Sequence, residues 1–278
     1  MTTAEKIENE MMALADEAQA VNLSRFFKCG KGEYGEGDKF LGIKVPVTRG
    51  LVKENWRNAT LEDISRLIVS PYHEIRLCAL LLLVQLYKHA GKSSSSTKPS
   101  LFGKSSLREQ IVDYYLAHTQ YINNWDLVDL SCYEILGDWV WRTGDSSILY
   151  SLAQGTIVHP QQSCDCAKSA NPTMWEKRIA MVSCMALVRH CQLTDCLQIA
   201  DILLYEREDL MHKAVGWMLR EVGKRDPQAE RDFLATRCLT MPRTTLRYAI
   251  EKFPEEERQS YLKNLVSGAP EASTTPER

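Results

Sequence analysis

Apolar residues recur at helical spacing along nearly the whole chain, and no alternating apolar–polar run longer than about five residues interrupts them. The pattern predicts helices over about 4–15, 17–28, 46–56, 60–69, 71–89, 105–119, 124–142, 145–154, 172–190, 193–207, 210–225, 227–238 and 242–266. Ser70-Pro71, Asn171-Pro172, Asp226-Pro227 and Thr240-Met241-Pro242 mark starts, because Pro near the first turn gives up an N–H that has no helical partner anyway. Thr60 followed by Asp63 has the form of a capping box, with Asp in place of the usual Glu. Helix pairs opening near 124, 172 and 210 start 48 and 38 residues apart. That spacing predicts an all-α fold: a single right-handed alpha-solenoid of HEAT-like or armadillo type, built from antiparallel helix pairs and curved around a concave face. A closed bundle is the competing all-α architecture, but a dozen medium helices exceed what it needs.

Three segments fall outside the pattern. Residues 29–41 are Gly-rich with mixed charge and predict a mobile surface loop. Residues 91–104 are Ser-rich and low in complexity, and 155–171 are mostly polar, so both predict flexible connections. The expected domain is therefore 1–268, with a disordered tail over 269–278.

Composition narrows the class. The 278 residues carry 34 Lys+Arg against 36 Asp+Glu, for a formal charge of -2, and are 44% hydrophobic. That is a globular balance and not a disordered or fibrous one. The most apolar run, Leu77 to Leu86, is too short to cross a membrane. The acidic, amphipathic start lacks the features of a signal peptide, which predicts a cytoplasmic protein with no membrane partner. Nine cysteines, mostly in apolar or helical stretches, argue against a disulfide framework. Cys164 and Cys166 form the one close polar pair, and without a second pair the expectation is no metal and no cofactor.

Three helices carry candidate chemistry. In 211–224, Met211, Val215, Met218 and Val222 form an apolar stripe, while Lys213, Trp217, Arg220 and Lys224 form a basic one around an aromatic. Such a stripe suits phosphates and a sugar–base unit, although a snorkelling, partly buried Trp217 fits the same spacing. Gly216 implies close approach by a helix or a ligand. In 121–142, Trp125 and Asp129 lie four apart on one face; Val128, Cys132, Ile135 and Trp139 form the core stripe. Asn123, Asn124 and Asp126 are capping candidates, which leaves Asp129 without a capping duty. It is either a surface acid or a carboxylate placed to stabilise a developing cation. In 172–191, Arg178 is either a phosphate clamp or an ordinary ion-pair partner. Arg243 and Arg247 extend the basic positions toward the C-terminus, where either could instead cap a helix.

These residues and two motifs resemble the AlkD-like DNA alkylation-repair enzymes, a family of HEAT-like-repeat DNA glycosylases. The resemblance rests on Phe40-Leu41-Gly42-Ile43 with Pro46 and Arg49, on Trp125 through Asp129, on Arg178, and on Ala214-Val215-Gly216-Trp217 with Leu219-Arg220-Glu221. It covers roughly residues 20 to 255 in the family's order. It implies a concave DNA-binding face and a monofunctional glycosylase that removes cationic N3- and N7-alkylated purines from duplex DNA without a deep base pocket. Trp125 and Trp217 correspond to its two aromatic residues against the lesioned nucleotide, Asp129 to its carboxylate, and Arg178 to its phosphate-gripping Arg. Phe26 stands where the family has a Tyr, so it can pack but cannot donate a hydrogen bond. Arg178, Phe26, Lys213, Arg220, Arg243 and Arg247 are the expected DNA contacts, and Asp129, Trp125 and Trp217 the expected catalytic set. The expected state is a monomer with no obligate protein partner. Two other classes remain alternatives: a DNA-binding or damage-sensing protein without excision activity, and a HEAT-like protein-interaction scaffold.

Overall fold

The structure, a computed structural model, describes residues 1–90, 106–155 and 172–265. The Ser-rich segment, Cys164, Cys166 and the C-terminal tail lie outside the described residues. The helices are α1 (Thr3–Ala13), α2 (Glu17–Phe26), α3 (Val45–Asn55), α4 (Leu61–Ile68), α5 (His73–Ala90), α6 (Leu107–Ala117), α7 (Trp125–Asp129), α8 (Asp138–Thr143), α9 (Ser147–Gln154), α10 (Met174–Arg189), α11 (Thr194–Ile202), α12 (Asp209–Arg225), α13 (Pro227–Ala235), α14 (Arg243–Ala249) and α15 (Glu255–Leu262). Among the described residues there is no strand, only an isolated bridge between Lys39 and Tyr72. No described helix is long and apolar enough to cross a membrane.

The chain forms two compact units, one over Met1–Thr143 and one over the described residues from Gly144 onward. Each is built on a helix that is buried nearly all round. In the first unit this is α5, whose residues His73 through Val84 are all buried and which packs against α3, α4, α6 and α7. In the second it is α10, buried from Arg178 through Val188 and packed against α9, α11 and α12. Such helices show little amphipathicity because they have no solvent face. Successive helices pack in pairs around them, an all-α, solenoid-like arrangement consistent with HEAT-like repeats.

Local chemistry sets the helix ends. The Thr60–Asp63 capping box forms, with Asp63 N donating to Thr60 Oγ1 at 3.2 Å and Thr60 N to Asp63 Oδ2 at 3.0 Å. Asp63 also accepts from Ala4 N at 2.9 Å, so one carboxylate caps α4 and ties down α1. Asp226 caps α13 behind Pro227.

Two predicted helices are broken. The 124–142 segment is α7, then a π-helical turn over Tyr133–Gly137, then α8. Buried Ser131 anchors the break: its hydroxyl donates to the Leu127 carbonyl at 2.6 Å and lies 3.0 Å from the Tyr115 hydroxyl. A π turn inserts a residue and so re-aims the next stretch of helix, here α8. The 242–266 segment is split by Pro254, which has no N–H to continue the ladder and holds Phe253 in extended backbone.

The Gly-rich segment is exposed through much of 31–37 but not at its far end. Phe40, Leu41 and Ile43 are buried, and the buried Glu74 carboxylate accepts from the N–H groups of Leu41 (3.0 Å), Gly42 (2.9 Å) and Ile43 (3.2 Å). Three charge-assisted bonds compensate the burial of that charge. Gly42 has φ +86°, and a Cβ there would come within 2.2 Å of the Asp16 carbonyl oxygen. A side chain is therefore excluded both by conformation and by backbone contact. We predict that Gly42→Ala lowers unfolding stability by at least about 2 kcal/mol in urea denaturation.

Candidate functional site

In the first unit the candidate turn is α7. Asn124 is its N-cap, with its Oδ1 accepting from Trp125 N at 2.9 Å. Trp125 and Asp129 are the first and last residues of this single α-helical turn, so the predicted i, i+4 relation holds despite the break beyond Asp129. Both are half-buried. Phe27 stacks on the Trp125 ring at 5.2 Å between centroids and 19° between planes, while Phe26 meets it edge-on at 5.9 Å. Phe27 also stacks on Phe40 at 5.2 Å, and Phe40 on His73 at 4.7 Å. Phe26 is 63% exposed.

A buried ionic chain, unforeseen from the sequence, lies behind this aromatic stack. His73 Nδ1 lies 3.2 Å from Asp38 Oδ2 and its Nε2 2.9 Å from Asp126 Oδ2. Arg76 donates to Asp38 Oδ1 at 2.7 Å, to Asn123 Oδ1 at 3.1 Å and to the Ser70 carbonyl at 3.0 Å. Asp126 accepts from Leu127 N at 2.8 Å through its other oxygen. Burial alone would push the imidazole toward its neutral form, but the hydrogen bonds to Asp126 and Asp38 outweigh it and lift the His73 pKa to about 8. Burial works against the Asp38 carboxylate too, yet His73 and Arg76 hold its pKa below the usual value. Asp126 is thus structural, as its first-turn position suggested, but its main partner comes from α5. No sequence spacing links Asp38 or Asp126 to the His73–Arg76 pair; the charged residues that open the otherwise apolar α5 were the one signal in the sequence.

In the second unit, Met211, Val215, Met218 and Val222 are fully buried, as the spacing predicted. Trp217 is half-buried on the same helix. Gly216 is explained by packing: a Cβ there would lie 2.5 Å from the Thr245 carbonyl oxygen and from Tyr248 Cβ, so the glycine admits α14 against α12. Arg178 is 5% exposed, and its Nη1 donates to the Leu210 carbonyl at 2.6 Å, in the first turn of α12. Each cation of the predicted stripe meets a carboxylate: Lys213 pairs with Asp209 at 2.7 Å, Arg220 with Glu251 and Lys224 with Glu221 at 2.6 Å. Arg243 donates to the Leu262 carbonyl at 2.7 Å, the capping role that its position allowed. Arg247 is exposed on α14.

A different cationic surface lies on α3. A cleft of about 270 Å³ is lined by Arg49, Val52, Lys53, Trp56, Leu81 and Gln85, with two cations and no carboxylate. Beside it, Gly50 is exposed in mid-helix, and a Cβ there would meet nothing within 4 Å. Among the described residues no cluster of three or more His, Cys, Asp or Glu could hold a metal ion.

The all-α fold of helix pairs has counterparts among known proteins. The DNA alkylation repair enzyme family model matches residues 7–253, and the chain belongs to that family. Among solved structures, a predicted DNA alkylation repair enzyme from Enterococcus faecalis is similar, with a TM-score of 0.62 and 17% identity over 87% of this chain and 97% of that one. At that identity the likeness is one of fold. Comparison with curated proteins gave no match.

The ionic chain generates a pH prediction. A folded His73 pKa of about 8 against an ordinary value of 6.5 adds stability that is fully present below pH 6.5 and lost as pH rises through 8. The contribution is about 2 kcal/mol. Urea denaturation at pH 6 and pH 9 should show wild type losing about that much more than His73→Gln.

Proposed function

We propose that this protein is a monofunctional DNA glycosylase that hydrolyses the N-glycosidic bond of cationic N3- and N7-alkylated purines in duplex DNA. The observation that carries the reading is the α7 turn: a half-buried Trp and a carboxylate at its two ends, held by an aromatic stack and a buried ion chain. Membership in the DNA alkylation repair enzyme family supports the substrate class.

The chemistry asks little of an acid. An alkylated purine already bears positive charge, so as the glycosidic bond breaks its electron pair leaves with the base, which departs neutral. The charge passes to the deoxyribose as an oxocarbenium-like state, water adds at the anomeric carbon, and its proton goes to solvent. A fixed carboxylate is worth more to that state than to the ground state, which makes Asp129 the catalytic group. Trp125 contributes an aromatic face to the same positive charge, and Trp217 is assigned a like role by resemblance. Phe26, exposed and edge-on to Trp125, contributes apolar contact. Arg178 is assigned the phosphate grip by resemblance, and its bond to the Leu210 carbonyl also couples it to α12.

The paired stripe on α12 makes α3 the stronger candidate for backbone contact. Arg49 and Lys53 line a cleft without acids. Gly50 costs about 1 kcal/mol against Ala in a helix, and no packing among the described residues requires it; a phosphate backbone approaching closely would. We further propose that the protein acts on duplex DNA as a monomer.

Two measurements test the reading. On duplex DNA with a single N7-methylguanine, wild type should release the free base, and Asp129→Asn should lose about 100-fold in rate with binding nearly intact. Equal rates would leave Asp129 a surface acid; no release by wild type, with binding retained, would favour the DNA-binding class without excision. Separately, Arg49→Glu with Lys53→Glu should weaken duplex binding and flatten its dependence on salt by roughly two counterions' worth of slope. An unchanged slope would place the backbone contacts elsewhere.

A further inference from the structure

We propose that His73 is the positioning residue of the Trp125–Asp129 turn: as an imidazolium between Asp38 and Asp126 it latches α7 to the connection between α2 and α3, and loss of its proton opens the latch.

Hydrogen-bond accounting sets the charge. Both ring nitrogens face carboxylate oxygens, at 3.2 Å for Asp38 and 2.9 Å for Asp126. An ionised carboxylate only accepts, so both nitrogens must donate, and only the imidazolium carries two N–H groups. A neutral ring would keep one bond and turn a lone pair toward the other carboxylate. Asp38 has further donors in Arg76 (2.7 Å) and Asn123 (3.4 Å). Asp126 Oδ2 has His73 as its side-chain partner, so the Asp126 end carries the greater loss. Asp126 comes directly after Trp125 and sits one turn from Asp129, so whatever frees its carboxylate loosens the pair. The ring also sits against the aromatic stack, on Phe40 and 4.8 Å from Phe27, which itself carries Trp125, so its position bears on the turn through packing as well.

The other titratable or charged groups around the ring leave it as the responsive element. Arg76 and Glu74 come from its own helix; Glu74 is engaged by the Leu41, Gly42 and Ile43 N–H groups. Cys29, near Asp38, has its thiol pushed up to about 11 by burial and by the Asp38 and Glu33 charges, so it stays neutral through the range. Asp38 and Asp126 complete the set. The His73 pKa of about 8 puts the opening in mildly alkaline solution.

The catalytic consequence rests on the glycosylase reading, whereas the latch does not, so two readouts are needed. The first uses no DNA: tryptophan fluorescence from pH 6 to 9.5 for wild type minus Trp125→Phe. The second is single-turnover release of 3-methyladenine from duplex DNA over the same range. Wild type should show a fluorescence change with a midpoint near 8 and a fall in rate of about tenfold across it. Asp38→Asn, which keeps the shape and removes one charge, should move both midpoints down by about one unit. His73→Gln should be flat in both readouts, at the alkaline level. Circular dichroism at each pH checks that the variants remain folded. Midpoints unmoved in folded Asp38→Asn, or a fluorescence change surviving in His73→Gln, would overturn the latch. A latch seen in fluorescence with no base released by any form would uphold it and overturn the glycosylase reading instead.

Discussion

The first unit is organised around one constraint: two carboxylates, Asp38 and Asp126, are buried together and must be compensated there. His73 and Arg76 supply the compensation from successive turns of α5. A buried chain of this kind need not add net stability, because desolvation offsets much of the attraction. What it does impose is geometry. Removing one member leaves an unpaired charge in the interior, so α5, α7 and the end of the Gly-rich segment are tied to one mutual arrangement. Glu74, next to His73, does the same for the Phe40–Ile43 backbone through three N–H bonds. An otherwise apolar helix thus holds both the motif and the candidate turn.

Both units use glycine to bring backbone into contact, Gly42 in the first and Gly216 in the second. In the second unit Gly216 lets α14 come within backbone contact of α12. Gly223 similarly makes room for Glu230, whose buried carboxyl is pushed up to about 8 chiefly by burial. At neutral pH that group is therefore held mostly protonated and acts as a polar filler. Any Cβ at 216 would strike the α14 backbone, whereas one at 223 would displace only the end of the Glu230 side chain, so the first glycine is the stricter requirement.

Charge pairing changes how the surface of α12 is understood. A stripe of Lys213, Arg220 and Lys224 looks like a polyanion contact when only one helix is considered. Asp209 and Glu221 neutralise two of these from within α12, and Glu251 reaches Arg220 from the turn after α14. On α3 the opposite holds: Arg49 and Lys53 border a cleft without acids, beside a glycine that leaves the helix open to solvent. Near-neutral overall charge is therefore compatible with a local cationic surface.

The linear pattern determined the all-α class, most helix positions, the Thr60–Asp63 cap and the core stripe of α12, because each depends on residues within a turn or two of one another. It also brought Trp125 and Asp129 onto one face, since an i, i+4 relation survives in the five-residue α7. The family motifs were equally legible, but their physical roles were not: Gly42 and Gly216 answer to backbone atoms far away in sequence. Tertiary structure alone decided the break after α7, where buried Ser131 and Tyr115 compete with a continuous helix. It alone assembled Asp38, His73, Arg76 and Asp126, whose charges must meet once burial removes water as a partner. And it alone sorted the cations into paired and available ones, because an ion pair is a property of neighbouring helices and not of the helix that carries the charge.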